Sequence, residues 1–137
     1  LTTEVWWSPS HPFTSSLTKQ SAKALADAYE AGTKKQWTQP IGFAHALFEV
    51  AANALSRAKS VAAKDVRDAV AATSMSTVVG PVKWGGQGPF KNVSKTPLVL
   101  GQWVKAPAGA KTKVELVIVN NDTAKNIPTG GTLTLLG

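Results

Sequence analysis

Val79-Gly80-Pro81-Val82-Lys83-Trp84 and, after a glycine-rich gap, Leu98-Val99-Leu100-Gly101-Gln102-Trp103-Val104 are the two stretches that set the fold class. Both are short apolar strand candidates, and they flank a turn-rich loop, Gly85-Gly86-Gln87-Gly88-Pro89. The spacing predicts strands over 77–84, 98–105 and 113–120, with a weak apolar end at 133–136. Three helical patterns precede them, so the expected class is α/β, three helices and then short strands.

Working back from Thr77, residues 73–77 read as a polar connection. A helix is expected over about 62–72, with Val66, Ala69 and Val70 on its apolar face. The clearest helix lies before it. Pro40 suits a first turn, where a missing N–H is not needed. Phe43, Leu47, Val50, Ala51, Ala54, Leu55 and Ala58 then form an apolar stripe, which Ala44 and Phe48 widen. A stripe that wide calls for burial on more than one side, because each large side chain is worth about 1.5–3 kcal/mol when buried. An earlier helix carries Ala22, Leu25, Ala26 and Tyr29 on one face, with N-cap oxygens expected from Thr14, Ser15 or Ser16 and a C-cap at Gly32. Residues 3–7 read as a short strand or its end, closed by Ser8-Pro9-Ser10-His11-Pro12. No long parallel strand is present to receive the helix 41–58, so its sheet partners are expected to lie outside this chain.

The 137 residues fit one ordinary domain, with 43% hydrophobic and 17% charged residues. No apolar run approaches the roughly 20 residues that span a bilayer. The chain starts at Leu1, and the start of the gene product is expected upstream. Cysteine is absent, which excludes disulfides, thiolate metal sites and cysteine nucleophiles. The net charge of +7 raises a nucleic-acid reading. Only Lys34-Lys35 and the Lys111/Lys113 pair are close together, however, and no basic cluster alternates with aromatics, so no nucleic-acid partner is expected.

Catalytic material is sparse. His45 and Glu49 stand i, i+4 on a helix, an acceptable spacing for two metal ligands, but no third ligand is evident. Ser8 and Ser10 beside His11 suggest a nucleophile and base with nothing to orient them. Gly85–Gly88 resembles a phosphate loop without its Gly-Lys-Ser/Thr ending. No catalytic residue, metal or cofactor is expected. Trp6-Trp7 differs, because adjacent residues of a strand point to opposite faces: one ring can enter the core and the other must find a groove, a ligand or water.

Several motifs in order carry a resemblance. They are Glu4-Val5-Trp6-Trp7-Ser8-Pro9, Gly42-Phe43-Ala44-His45-Ala46-Leu47-Phe48-Glu49, Asp65-Val66-Arg67-Asp68-Ala69-Val70, Val79-Gly80-Pro81-Val82-Lys83-Trp84 and Leu100-Gly101-Gln102-Trp103. Over residues 4–105 the chain resembles the C-terminal third of the type I periplasmic binding proteins that serve branched-chain amino-acid ABC transporters. That resemblance implies a portion of a two-lobed fold. Residues 1–13 would be an inter-lobe or cleft segment, 14–77 the helical part of the N-terminal lobe, and 78–137 the last crossover strands and the tail. It implies a non-enzymatic, periplasmic or extracellular protein, with a membrane-anchored lipoprotein as one form. The protein would close by a hinge on a small solute, a branched-chain or aromatic amino acid or related carboxylate. Its partners would be the permease subunits and the remaining N-terminal part of the same protein. Trp6, Trp7, Phe43 and His45 are the expected cleft-lining residues. A ligand-sensing regulator of the same fold and an unrelated small enzyme domain are the alternatives.

Overall fold

The computed structural model describes residues 1–85 and 90–135. The chain order is β1 (Thr2–Val5), α1 (Ala22–Thr33), α2 (Pro40–Arg57), α3 (Ala63–Ala71), β2 (Ser74–Thr77), β3 (Gly80–Lys83), β4 (Val99–Lys105) and β5 (Val114–Asn120). It is a small α/β domain with two antiparallel sheets, one three-stranded in the order β1-β4-β5 and one the β2–β3 hairpin. β1 lies along the first half of β4, with Thr2 opposite Gln102 and Val5 opposite Val99. Among the described residues no helix is long and apolar enough to cross a membrane.

Two apolar clusters hold these pieces. One joins the larger sheet to the tail through Val5, Val99, Leu116, Ile118, Ala124 and Ile127. The other joins α1, α2 and the hairpin through Trp7, Ala22, Ala26, Ala46, Val78 and Val79. Trp37 packs against both.

Three local expectations are corrected. The first helix begins at Ala22, and its N-cap is Ser21, whose side chain accepts the Ala24 N–H at 3.1 Å. Thr14–Ser16 do not cap it. The Ser15 hydroxyl is already occupied by the Leu17 and Thr18 N–H groups, and Thr14 bridges to Ser21, closing residues 14–21 into a loop. The helix also runs past Gly32 and ends on Lys34, which takes the left-handed conformation (φ 60°) and returns its N–H to Glu30 O. The third correction concerns the stretch 77–84. It is not one strand: the chain turns at Val78-Val79, and the polar residues 74–77 supply the opposing strand. Gly80 makes that turn accessible with φ of 104°, a conformation costly for other residues. The Thr77 hydroxyl closes the turn by donating to Gly80 O and accepting the Val79 N–H. Of the expected loop and phosphate-loop lookalike, residues 86–89 lie outside the described residues, as does Leu136 of the weak apolar end. Leu133–Leu135 form no strand.

α2 starts at Pro40 as expected. Its buried line is made of Gly42, Ala46, Glu49 and Ala54, small residues apart from one carboxylate. Small residues are needed there, since a Cβ on Gly42 would stand 2.3 Å from the Trp7 ring. Three of the large apolar side chains point away: Leu47, Phe48 and Leu55 are 71%, 69% and 55% exposed, while Ile41, Phe43 and Val50 stay partly covered. Together with exposed Ala44 and Ala51 those three form an uncovered stripe at helical spacing.

Candidate functional site

β1 ends at Val5, and the next two side chains diverge. Trp7 is fully buried, lying on Gly42 and meeting Trp37 edge-on with ring centroids 5.9 Å apart. With no exposed surface, it acts here by packing. Trp6 stays half-buried and packs edge-on against Phe43 at 5.2 Å. Its backbone is fixed by the Gln39 carboxamide, whose oxygen accepts the Trp6 N–H at 2.8 Å while its nitrogen donates to Glu4 O at 3.1 Å. Gln39 therefore fills the place of one residue of a neighbouring strand along the outer edge of β1.

Phe43 leads into a hollow of about 140 Å³ between α2 and the hairpin. Phe43, Ala46 and Val50 form one wall, and Val79, Val82 and Trp84 the other. Ser94 and Thr96 stand at its edge. The Trp84 indole N–H donates to Val70 O at 2.7 Å, and Ser94 Oγ accepts the Lys83 N–H at 3.1 Å.

His45 does not join Trp6 and Phe43. Two residues apart on an α-helix, Phe43 and His45 project roughly 200° from one another. Trp6 and Phe43 are thus brought together, while Trp7 and His45 go elsewhere. His45 Nε2 meets the buried Ser15 hydroxyl at 2.8 Å. That oxygen already accepts two backbone N–H groups, so its proton goes to Nε2. One turn further along α2, the Glu49 carboxylate is 1% exposed. It accepts the Ser16 N–H and hydroxyl on one oxygen and the Val78 N–H, at 2.9 Å, on the other. These contacts tie the 14–21 loop and the buried hairpin turn to one helix.

Glu49 and His45 are thus engaged by backbone and hydroxyl groups of the protein itself. Both Glu49 oxygens are committed, and no cluster of three or more metal-ligating residues occurs among the described residues. Ser8 Oγ does reach His11 Nδ1 at 2.9 Å, but Ser8 is 1% and His11 3% exposed, so no substrate reaches the pair. Burial pushes the His11 imidazole down to about 4, against a smaller opposing effect of the Ser8 backbone. His11 Nε2 and the Trp7 indole nitrogen are buried with no partner among the described residues.

A broader open cleft of about 600 Å³ separates α1 from the β4–β5 turn. Lys23, Asp27, Glu30, Trp37 and Lys111 border it, and Lys23 and Asp27 pair with each other across one turn of α1. None of the four expected cleft residues lines it.

Periodicity marked Phe43 and composition marked Trp6. The far wall of the hollow, Val79 and Val82, and the Gln39 clasp carried no recognisable signal, because each depends on a partner about 30 residues or more away in the chain. Scanned against protein-family models the chain matches none, and the curated proteins contain no significant match to it.

Proposed function

We propose that this chain is part of a solute-binding protein that closes by a hinge on a small organic molecule and presents it to ABC-transporter permease subunits outside the cytoplasmic membrane. The observation that carries the reading is the bare outer face of α2. Leu47, Phe48 and Leu55 expose most of their surface on one continuous stripe. Grouped exposed apolar side chains are the kind of surface a partner covers, and a β-layer from the N-terminal part of the protein would satisfy it. Further support comes from β1 lying beside β4, since the resemblance makes residues 1–13 and the strands near 78–104 two passages between lobes. Trp6 and Phe43, packed edge-on at the end of β1, are the cleft-wall residues in this reading. The burial of the Ser8–His11 pair, and of Ser15 beside His45, weighs against the small-enzyme alternative.

Because the chain has no cysteine, a single Ala51→Cys substitution gives a clean label on the exposed stripe. Thiol labelling is expected to be fast in the 137-residue chain and at least a hundredfold slower in the longer gene product. Calorimetry on that longer product should detect a branched-chain or aromatic amino acid or a related carboxylate. Equal labelling rates in the two proteins would overturn the reading.

A further inference from the structure

The C-terminal segment is held to the larger sheet mainly through its backbone. Ile127 is fully buried, but residues 128–135 after it are all exposed. Among the described residues, three hydrogen bonds fix that segment to the sheet. The Gly130 N–H donates to Ile118 O of the edge strand β5 at 2.8 Å. Further on, the buried Gln102 carboxamide donates to Thr134 O at 2.7 Å and accepts the Thr134 N–H at 3.0 Å. Gly130 and Gly131 pass over Val117, where a Cβ would stand 3.3 and 3.2 Å from its Cγ1 methyl group. Val117 lies opposite Gln102 in the β4–β5 register, so both project from one face of the sheet, the reverse of the core face that carries Leu116 and Ile118.

Gln102 and Val117 together suit an extended backbone. A carboxamide that bonds both the N–H and the C=O of one residue repeats the pairing of a neighbouring strand, whatever side chain that residue carries. Selection comes from Val117, which leaves room for small residues a few positions earlier in the bound segment. Leu133 and Leu135, 45% and 80% exposed, add little burial. The entropy of ordering the segment opposes its hydrogen bonds, and segments with few buried apolar contacts are the first to open. Two copies that trade the segment remake the same contacts in each acceptor, so exchange costs little beyond bringing the copies together.

We infer that the outer face of the β1-β4-β5 sheet, through Gln102 and Val117, is an acceptor for an extended peptide segment, and that its partner is a second copy of this chain, whose residues 130–134 replace the acceptor's own. The segment already seated there shows the fit, and a second copy carries the same two glycines at the same spacing from Thr134. This pairing does not depend on the solute-binding reading.

The test uses the full chain, whose lack of cysteine makes introduced thiols unambiguous. In a variant with Val117→Cys and Gly131→Cys, the two sulfurs would lie within disulfide reach, because a Cβ at 131 stands 3.2 Å from the Val117 methyl that one sulfur replaces. Oxidised at low concentration, the variant should close its own segment in cis and run as a monomer on a non-reducing gel. Oxidised after standing at high concentration, it should give covalent dimers. The reference is a mixture of the Val117→Cys chain with a Lys59→Cys chain, which carries an exposed thiol in the α2–α3 connection. Covalent dimer should exceed the heterodimer of that mixture at least tenfold. The unaltered chain gives a second measurement should Gly131→Cys disturb the segment. A labelled peptide of residues 128–135 should bind it saturably, and the same peptide with Gly130→Val and Gly131→Val at least tenfold more weakly. Covalent dimer no more abundant than in the reference mixture, no saturable peptide binding, or equal binding of the two peptides would each overturn the inference. A dimer held instead by the exposed face of α2 would leave the disulfide in cis and give the first of these results. The Ala51→Cys labelling rate reports on that face of α2 and does not depend on this outcome.

Discussion

Single residues in this protein act through contacts that are distant in sequence. Gly42 is the sharpest case. Its missing side chain is the space that the Trp7 ring occupies, and a Cβ there would stand 2.3 Å from the ring. Gly42→Ala is therefore expected to destabilise the chain by about 1–3 kcal/mol in urea unfolding, as overpacking does, and to move the Trp7–Trp37 contact. His11 sets a pH dependence. Its folded value of about 4 lies below the ordinary 6.5, so the unfolded chain binds the proton more readily. The resulting contribution to stability is intact above about pH 6.5 and is lost as pH falls toward 4, by up to about 3 kcal/mol. Urea melts across that window should show the loss, and His11→Gln should flatten it. A slope unchanged in the variant would assign the acid sensitivity to other groups.

At the scale of elements, side chains complete hydrogen bonding that backbone would otherwise supply. Gln39, just before α2, covers the edge of β1 by bonding both Glu4 O and the Trp6 N–H. Gln102 does the same for the tail, bonding the N–H and the carbonyl of Thr134. Gln39→Ala is expected to cost about 1 kcal/mol, the net worth of ordinary hydrogen bonds. It should also speed amide exchange at Trp6 more than at Ala46, in the middle of α2. Uniform acceleration along the chain would instead mean that the variant only lowers global stability. Glu49 is the corresponding device for the hairpin: one buried carboxylate holds a loop and a turn that do not touch each other through strand pairing.

For the whole molecule, the governing feature is an apolar helix covered on one side only. Burying Leu47, Phe48 and Leu55 would be worth about 1.5–3 kcal/mol each, and this chain leaves most of that unrealised. Replacing Phe48 and Leu55 together by Lys is accordingly expected to change the chain's own unfolding free energy by about 0.5 kcal/mol or less. The same pair of changes should reduce concentration-dependent self-association, read by sedimentation velocity. A large loss of stability would place the stripe inside this chain's own core and remove the main support for a missing partner layer.

The order of elements was readable from local chemistry. Pro40 marked the start of α2, the 3.6-residue spacing marked three helices, and apolar runs marked β4 and β5. Trp6 and Trp7 dividing between surface and core follows from their adjacency. What escaped that reading depends on competition between distant groups. Ser15 has the makings of an N-cap, yet His45, thirty residues away, and the turn at Leu17–Thr18 take its hydroxyl, and Ser21 caps the helix in its place. Residues 74–77 look like a linker, and become a strand because the turn at Val78–Val79 is buried against α2 and fastened by Glu49. Propensity and periodicity report what a segment prefers alone. Which hydroxyl, carboxylate or apolar face is spent, and on what, follows from the long-range packing that brings those segments together.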